Sequence, residues 1–406
     1  MNRVGLGLIG CGSRMRAVVE AVRAAAGPGQ ADRIEVTGLY DPSPESIRRT
    51  QAAFGLEGRV YSDYRDLVRD PGVQWVMIGS WNCFHAEQAV AALRAGKHVF
   101  CEKPLATTLD DCLAIRDAWR QAGTLFTIGF TLRYSPHYIR VKELIDGGYV
   151  GRILSMESNE TLHFDHGGYI HSDWRRKTEH AGTHLLEKCC HDLDIAHWLT
   201  GSLPRRVASF GGCDFFVPDN RGQAERVGPD NRGRPAFLAW HFDASGTGPE
   251  VDAFTADKDI VDNQVAILEY ANGVRATFHT NCLAGLPERR LYILGTEGAI
   301  RADATTGRIE GKRVGRATRI EDFSTKARGL HAGGDAVLGG DLADSMLHGK
   351  PPRATLEDGL RSAITAFAVD EAMGMGRVVE VTRYWRRAGI GYGLPEQAPA
   401  TQGVGE

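Results

Sequence analysis

The first 128 residues alternate short aliphatic or β-branched runs with amphipathic stretches. Such alternation is typical of βαβ units, in which right-handed helical crossovers join parallel strands. We predict strands at residues 4–9, 34–40, 75–79, 98–101 and 125–129, and helices at residues 16–25, 43–54, 86–95 and 109–122. The pattern therefore predicts the α/β fold class, with a doubly wound parallel sheet.

The pattern changes after Gly129. Strand-like runs at residues 153–161, 206–211, 264–270, 274–281 and 290–294, with intervening turns such as Ala271-Asn272-Gly273, indicate a second α/β domain with a large, mainly antiparallel sheet. Residues 218–262 are rich in Gly, Pro, Asp and Asn and are predicted to form a long surface insertion. We therefore divide the chain into residues 1–128, residues 129–386 and a loose tail, residues 387–406.

Composition limits the class of partner. Of 406 residues 42% are apolar, which is enough for two hydrophobic cores. With 48 basic and 51 acidic residues the net charge is -3, so no broad positive surface is expected for nucleic acid or an anionic membrane. The chain also lacks a run of the ~18 apolar residues that a membrane span needs. We expect a small-molecule partner.

The cysteines favour a reducing compartment. The eight cysteines contain no CxxC pair, and Cys189 and Cys190 are adjacent. Neither a disulfide framework nor a structural zinc site is therefore indicated. We interpret these side chains as reduced thiols of a cytoplasmic protein and predict no metal site.

A glycine turn separates the first predicted strand from the first helix. Glycines there allow a tight turn and let backbone N–H groups approach a pyrophosphate at the positive end of a helix. Asp41, at the end of the second strand, can accept both ribose hydroxyls and would repel a 2′-phosphate. The order of strand, turn, helix and acid predicts a dinucleotide site for NAD rather than NADP, although plain α/β packing is the alternative. The predicted contacts on the turn are Gly10, Gly12, Ser13, Arg14 and Met15, with Met15 standing where the usual fingerprint has a third glycine.

Two further segments carry side chains suited to acid–base chemistry. Glu102-Lys103-Pro104 follows a buried strand, at the sheet edge where open α/β sheets bind ligands; a strand-end salt bridge is the alternative. In a helix predicted from Thr183 to Leu199, Glu187 and His191 lie one turn apart, so that a carboxylate can orient an imidazole acting as general base. A solvated polar stripe would show the same spacing.

These segments together resemble the Gfo/Idh/MocA oxidoreductase family from Val4 to about Trp385. The resemblance rests on the glycine turn, Ser80-Trp81-Asn82 followed by His85, Glu102-Lys103-Pro104, Arg133-Tyr134-Ser135-Pro136, and Gly182 through Glu187 to His191 and Asp194. Family members join an N-terminal Rossmann domain to a C-terminal α/β domain whose open sheet frequently supports dimers or tetramers. The resemblance implies NAD as cofactor, a carbohydrate or polyol as substrate, and a homodimer or homotetramer.

The resemblance also implies roles for single residues. Lys103 corresponds to the family lysine beside nicotinamide and the substrate oxygen, and His191 to the histidine that removes or returns the hydroxyl proton. Glu187 stands where an Asp is usual, and Trp81 where a Pro is frequent. Further implied cofactor contacts are Ser80, Asn82, His85, Glu102, Lys103, Trp174 and Arg175; implied substrate contacts are Lys103, Arg133, His163, Glu187, His191 and His331.

The implied activity is hydride transfer between NAD and a CH–OH carbon of a sugar, anhydrosugar or inositol-like substrate. One alternative is an enzyme that retains NAD and modifies a glycoside through transient oxidation of the sugar. Another is a non-catalytic sensor of NAD or sugar, and the presence of both Lys103 and His191 argues against it.

Overall fold

The computed structural model describes residues 3–56, 59–240, 251–327 and 331–391, and these contain two β-sheets. The strands of the first sheet are β1 (Val4–Ile9), β2 (Ile34–Tyr40), β3 (Arg59–Val60), β4 (Trp75–Ile78), β5 (His98–Cys101) and β6 (Phe126–Ile128). They are parallel and ordered β3-β2-β1-β4-β5-β6, which is the Rossmann order. The predicted doubly wound sheet is confirmed.

The helices of this first half cover the sheet, and their ends follow local sequence signals. They are α1 (Ser13–Ala26), α2 (Pro44–Phe54), α3 (Tyr64–Arg69), α4 (His85–Arg94) and α5 (Leu109–Ala122). Side chains of Ser43, Asp63 and Thr108 cap α2, α3 and α5 by accepting a backbone N–H. By contrast α1 begins at Gly12 without a side-chain cap, which leaves its first turn suited to an anion.

The second sheet has nine strands. They are β7 (Ile153–His163), β8 (Pro204–Gly212), β9 (Asn263–Tyr270), β10 (Arg275–Ala284), β11 (Arg290–Gly295), β12 (Gly298–Asp303), β13 (Arg308–Arg313), β14 (Glu321–Asp322) and β15 (Val379–Glu380), in the order β14-β13-β12-β11-β7-β10-β9-β8-β15. Only the pair β7–β10 is parallel, so the predicted large, mainly antiparallel sheet is confirmed.

The remaining helices follow β6 along the chain. They are α6 (Pro136–Asp146), α7 (Phe164–Ser172), α8 (Thr178–Ala181), α9 (His184–Thr200), α10 (Gln223–Val227), α11 (Gly334–His348), α12 (Leu356–Met375) and α13 (Thr382–Arg387). Helix α11 packs on α1 so closely that a Cβ at Gly339 would lie 2.5 Å from the backbone of Ala21. The boundary predicted at residue 128 thus separates the two sheets, whereas α11 joins the first half of the molecule.

Two predictions about irregular segments need correction. Residues 218–262 were predicted to form a surface insertion, but Phe237 and Phe254 are buried there with Phe216 in a small separate core. Removing aromatic side chains from water lowers the free energy of the folded protein. Residues 241–250 lie outside the described residues. The start of the predicted tail is also packed: Ala388 is buried and its carbonyl accepts a hydrogen bond from Arg116. Residues 392–406 lie outside the described part of the chain.

Across the described ranges, the structure contains no helix that is both long enough and apolar enough to cross a membrane.

Candidate active site

The glycine turn at the end of β1 is shaped by backbone contact with the neighbouring strand. Gly10 has a φ of 89°, and a Cβ there would lie 2.5 Å from the backbone of Gly79 and Ser80, so a glycine is required. Gly12 has no atom within 4 Å of its ideal Cβ position. The turn therefore opens onto free space beside the uncapped end of α1, which fits a pyrophosphate.

Met15 does not contact this open space. Its side chain is buried in the core against Gly79, whose own Cβ would lie 2.8 Å from the Met15 Cε. The prediction that Met15 contacts the cofactor is therefore wrong for its side chain. The small residue that lets α1 approach the sheet is supplied by Gly79 at the end of β4 instead of by the third position of the fingerprint.

Asp41 lies next to the turn, as predicted. Its carboxylate accepts hydrogen bonds from the backbone N–H groups of Cys11 and Ser43, both at 2.7 Å, and each oxygen can accept more than one. Arg48 and Arg49, which follow on α2, both form ion pairs with Glu45. The acceptor at the end of β2 suits the hydroxyls of an NAD ribose, while the nearby arginines are held by a carboxylate on their own helix.

The loop after β4 is held to neighbouring segments by side-chain hydrogen bonds. The Ser80 hydroxyl donates to Gln88 Oε1 at 2.6 Å, and buried Asn82 donates from Nδ2 to the carbonyl of Ala181 at 2.8 Å. His85 is fully buried with its ring nitrogens 2.8 Å from the Pro104 carbonyl and 3.2 Å from that of Ser80, and burial lowers its pKa. Both side chains thus bind backbone groups of neighbouring loops, and their contact with the cofactor stays a prediction.

Lys103 and Glu187 form an ion pair between the two halves of the molecule. Lys103 Nζ donates to the Glu187 carboxylate at 3.0 Å and to its backbone carbonyl at 2.5 Å. Arg175 Nε also donates to Glu187, at 3.1 Å, and its Nη1 donates to the Tyr169 hydroxyl. Lys103 follows β5 and Glu187 lies in the first turn of α9, which begins after the capping hydroxyl of Thr183.

Electrostatics keep both partners of this pair charged. Burial would raise the pKa of Glu187, but the neighbouring Lys103 and Arg175 outweigh it and hold that pKa well below its usual range. Burial likewise works to lower the pKa of Lys103, and the Glu187 carboxylate reverses the effect, so that the pKa is raised. A permanent ammonium group is thus held in a water-poor cleft, where it can stabilise negative charge on an oxygen.

His191 follows Glu187 by one helical turn and is only 4% exposed. Its ring lies 5.6 Å from that of Phe130, and its Nδ1 is buried without a hydrogen-bond partner. Burial first, and then Lys103 and Arg289, hold its pKa well below the usual value, so the ring is neutral and able to accept a proton. The prediction that Glu187 orients this ring is wrong, because the carboxylate binds Lys103 and Arg175 instead.

The polar positions of α9 also settle one alternative. The side chains of His184, Glu187, His191 and Asp194 are all buried, so α9 carries no solvated polar stripe. Every turn of this helix is enclosed, which means that its charged groups are paired inside the protein.

Arg14 links the glycine turn to the far wall of the cleft, and no sequence pattern indicates this link. Its guanidinium donates to Glu102 at 2.7 Å, to Asp335 at 2.5 Å and to the Thr131 hydroxyl at 2.8 Å. Asp335 in turn lies 2.8 Å from His331 Nδ1. The residues predicted around the cofactor, Arg14 and Glu102, are therefore joined to the predicted substrate residue His331 by one chain of hydrogen bonds through Asp335.

Trp174 and Arg175 pack between Trp81 and Glu187. The Trp174 ring stacks on Trp81 with 5.3 Å between centroids and 12° between planes, and the Arg175 guanidinium lies 4.3 Å from the Trp174 centroid. Trp81, the departure from the frequent Pro, thus supplies a stacking partner that spans the two halves of the molecule.

Two predicted substrate residues are not brought to this cleft. The Arg133 guanidinium donates to both oxygens of Asp194, at 2.7 and 2.8 Å, and to Asp358 at 3.0 Å, lining a separate cavity of about 510 Å³. His163 caps α7 through Nδ1, and its ring is half-exposed on Phe164. Their predicted substrate contacts are corrected on this geometry, since neither side chain joins Lys103 and His191.

A second charged group lies behind the cleft and was not predicted. Arg289 binds both oxygens of Asp192, at 2.8 and 2.6 Å, and lies 3.0 Å from Glu160, which also pairs with Lys188 at 3.0 Å. The partners come from β7, α9 and the segment before β11, so no local spacing could have found them. Burial, and then the positive charge of Lys188, lower the pKa of His166, whereas Glu160 and Glu187 oppose this effect.

These features occur together in one class of protein, the two-domain oxidoreductases in which a Rossmann sheet binds the dinucleotide and a second domain covers it. Residues 4–130 match the NAD-binding Rossmann fold of the Gfo/Idh/MocA oxidoreductase family, and residues 142–381 match its C-terminal alpha/beta domain. The chain therefore belongs to the Gfo/Idh/MocA family.

Several relatives are named for the substrates they oxidise. The inositol 2-dehydrogenase/D-chiro-inositol 3-dehydrogenase of Lactiplantibacillus plantarum is 35% identical over 167 residues, 41% of this chain and 45% of that protein. The levoglucosan dehydrogenase of Pseudarthrobacter phenanthrenivorans is 31% identical over 267 residues, 64% of this chain and 63% of that protein. The chain spans about half the length of the inositol dehydrogenases that it matches.

Solved structures extend the likeness to the whole fold. Levoglucosan dehydrogenase in complex with NADH and L-sorbose matches with a TM-score of 0.76 at 23% identity, covering 94% of this chain and 99% of that one. At this identity the match shows a common fold.

Proposed function

We propose that this protein is an NAD-dependent oxidoreductase acting on a CH–OH carbon of a sugar, anhydrosugar or inositol-like substrate. The observation that carries the proposal is the arrangement around Lys103: an ammonium group at the carboxyl edge of the Rossmann sheet, held charged by Glu187, with a neutral His191 one turn further along α9. A fixed cation and a proton acceptor are the two groups that alcohol oxidation needs.

Each residue around Lys103 has a separate role in this proposal. His191 accepts the proton of the substrate hydroxyl, and Lys103 stabilises the charge that develops on the oxygen. NAD, when bound, supplies the acceptor for the hydride. Glu187 positions Lys103 through its 3.0 Å ion pair, and Arg175 fixes Glu187 from the other side. In reduction the same groups act in reverse.

The proposed cofactor site consists of the glycine turn, the uncapped start of α1 and Asp41. Gly10 and Gly12 leave room for a pyrophosphate, and Asp41 accepts ribose hydroxyls. Binding of NAD and NADP, measured by titration calorimetry, should favour NAD. Asp41→Ala should reduce this preference; equal affinity of the unaltered protein for both would contradict the NAD assignment.

Three further assignments belong to this proposal. Residues 1–128 hold the cofactor and residues 129–386 the substrate. The protein is cytoplasmic, which its eight free cysteines support. It is a homodimer or homotetramer joined through the open face of the second sheet, where Phe210 is 68% exposed and Ile267 58% exposed on adjoining strands. Light scattering after gel filtration tests the last point, with Ile267→Lys expected to yield smaller species.

The experiment that tests the activity is NADH formation at 340 nm with purified protein, NAD and a panel of monosaccharides, inositols, anhydrosugars and glycosides. Absorbance that grows with one stereochemical group supports the proposal and gives the substrate class. NAD binding without absorbance growth, but with chemical change in a glycoside, would favour transient oxidation by retained NAD instead. NAD binding without any chemical change would favour a sensor.

A further inference from the structure

The proposed reaction leaves a proton on a side chain that is almost closed off from water. His191 is 4% exposed, and its Nδ1 has no hydrogen-bond partner. Burial first, and then Lys103, Arg289, His331 and Lys188, disfavour a positive charge on this ring. Protonated His191 therefore needs an acceptor nearby before the next turnover.

His331 is the histidine next to His191. The two ring centroids lie 5.9 Å apart at an angle of 61°, a separation that accommodates one bridging water or substrate hydroxyl. The His331 side chain is 30% exposed, and that of Asp335 is 45% exposed. The ring thus lies between the buried base and solvent.

His331 has a carboxylate partner, Asp335, whereas His191 Nδ1 has none in the described part of the chain. Asp335 Oδ2 lies 2.8 Å from His331 Nδ1, so a carboxylate both orients the ring and stabilises a positive charge on it. Burial lowers the pKa of His331; Asp335 opposes this effect, whereas Arg14 and Lys188 add to it. Arg14 binds the other oxygen of Asp335 at 2.5 Å and so fixes this carboxylate against the glycine turn.

We propose that His331 and Asp335 form a proton relay that carries the hydroxyl proton from His191 to solvent during oxidation and returns it during reduction. The proposal rests on the oxidoreductase function proposed above. As the substrate carbon gives up its hydride to the cofactor, the O–H bond breaks and an N–H bond forms on His191. That proton then moves to His331 Nε2 and on to water, so one proton is released for each NADH formed.

A relay differs from a substrate contact in what its loss affects. If His331 only binds substrate, His331→Ala raises KM and leaves proton release coupled to hydride transfer. If it carries the proton, His331→Ala slows turnover at saturating substrate, and a diffusible base can replace the missing ring. Imidazole added to the buffer is that base.

The experiment follows NADH at 340 nm and proton release with a pH indicator in the same stopped-flow mixing. The variants are His331→Ala, Asp335→Asn and, as the matched control, His348→Ala, an exposed histidine at the other end of α11. We expect His331→Ala to lower kcat about 100-fold, the low end for a proton-transfer group, with proton release lagging behind NADH and kcat rising with imidazole. Asp335→Asn should give a smaller loss, and His348→Ala none.

The outcomes separate failure of the relay from failure of the proposed function. Unchanged kcat in His331→Ala, or a raised KM without lag and without rescue by imidazole, overturns the relay while leaving the oxidoreductase function intact. Cofactor binding and the urea unfolding midpoint identify a variant that has simply lost its fold, in which case Asp335→Asn decides.

A measurement without substrate tests the relay even if no substrate is found. Nitrogen NMR of protein labelled in histidine, with His331 assigned from its variant, reports which ring nitrogen carries the proton. The relay requires the neutral ring to carry its proton on Nδ1, facing Asp335, so that Nε2 can accept a second one. A proton on Nε2 of the neutral ring would overturn the relay.

Discussion

Helix α9 carries two clusters of buried charge that use the same residue types for different ends. In the cleft cluster, Glu187 binds Lys103 and Arg175; in the buttress cluster, Asp194 shares Arg133 with Asp358. The first carboxylate faces two cations, which hold its pKa well below the usual range. The second must share one guanidinium, and burial raises the pKa of Asp194 to about 7 against the opposing effect of Arg133.

The two clusters differ in the number of cations for each carboxylate, and this number separates a catalytic role from a structural one. Two cations around one carboxylate leave Lys103 with hydrogen-bonding capacity for a ligand, since an ammonium group has three donors. One arginine between two carboxylates has its charge neutralised, and it joins the segment before α6 to α9 and α12. We therefore expect changes in the cleft cluster to affect turnover and changes in the buttress cluster to affect stability.

The largest expected effect is that of Lys103→Met on turnover. Removing the ammonium group should lower kcat about 10³- to 10⁴-fold, because the charge developing on the substrate oxygen loses its partner. NAD affinity should change little, since the glycine turn and Asp41 are untouched. Steady-state kinetics and NAD titration check both points, with the exposed Lys350→Met as control. Retained activity would contradict the role of Lys103.

The next effect is that of Arg133→Met on stability. It leaves Asp194 buried without its ion-pair partner and Asp358 with Arg361 at 3.7 Å, which should lower the free energy of unfolding by about 3–5 kcal/mol. Urea denaturation measures it, and Arg206→Met, which breaks an exposed pair with Glu269, should cost less than about 1 kcal/mol. KM of the folded variant should stay unchanged; a raised KM would restore Arg133 as a substrate residue.

The sequence predicts the first sheet well and for a clear reason. The central strands β1, β4 and β5 are buried on both faces, so each is a short, mainly apolar run followed by an amphipathic helix. β3 and α3 were not predicted, because Arg59–Val60 is a two-residue edge strand without any alternation. β12 and β13 were not predicted for another reason: their exposed faces carry charged residues and their turns are short.

The candidate site likewise contains features that the sequence predicts and features that it does not. The placement of Lys103 after a strand end, and of Glu187 and His191 on one helix, could be predicted because the motif reports position along the chain. The contacts of Asn82 and His85 could not, because a motif does not tell whether a side chain faces a ligand or a neighbouring carbonyl. The bond from Arg14 to Asp335 joins residues far apart in sequence and has no local signature.

A smaller effect is expected from Glu187→Asp, which restores the residue usual in the family. The shorter side chain keeps the charge but cannot reach Lys103 and Arg175 as Glu187 does, and a displacement of this size should lower kcat/KM about 10- to 100-fold. Glu187→Gln keeps the length and loses the charge, so it isolates the electrostatic part. Kinetics of both variants test this, and full activity of Glu187→Asp would show that the length of residue 187 is unimportant.

The smallest expected effect concerns pH and separates the clusters without breaking either. His191 must be neutral to accept the proton, so kcat/KM for oxidation should rise with pH and level off below the ordinary imidazole pKa of about 6.5, because burial and the surrounding cations lower the pKa of His191. Lys188→Met removes one of these cations and should move the rise to higher pH, whereas Lys350→Met should not.

Asp194 lies in the other cluster with a pKa raised to about 7. The native protein therefore binds more protons there than the unfolded chain, and this contribution to stability declines as pH rises toward 7. Rate profiles and urea midpoints measured over the same pH range should thus change in opposite directions, and a rate profile that followed the buttress cluster would mean that the two are coupled through α9.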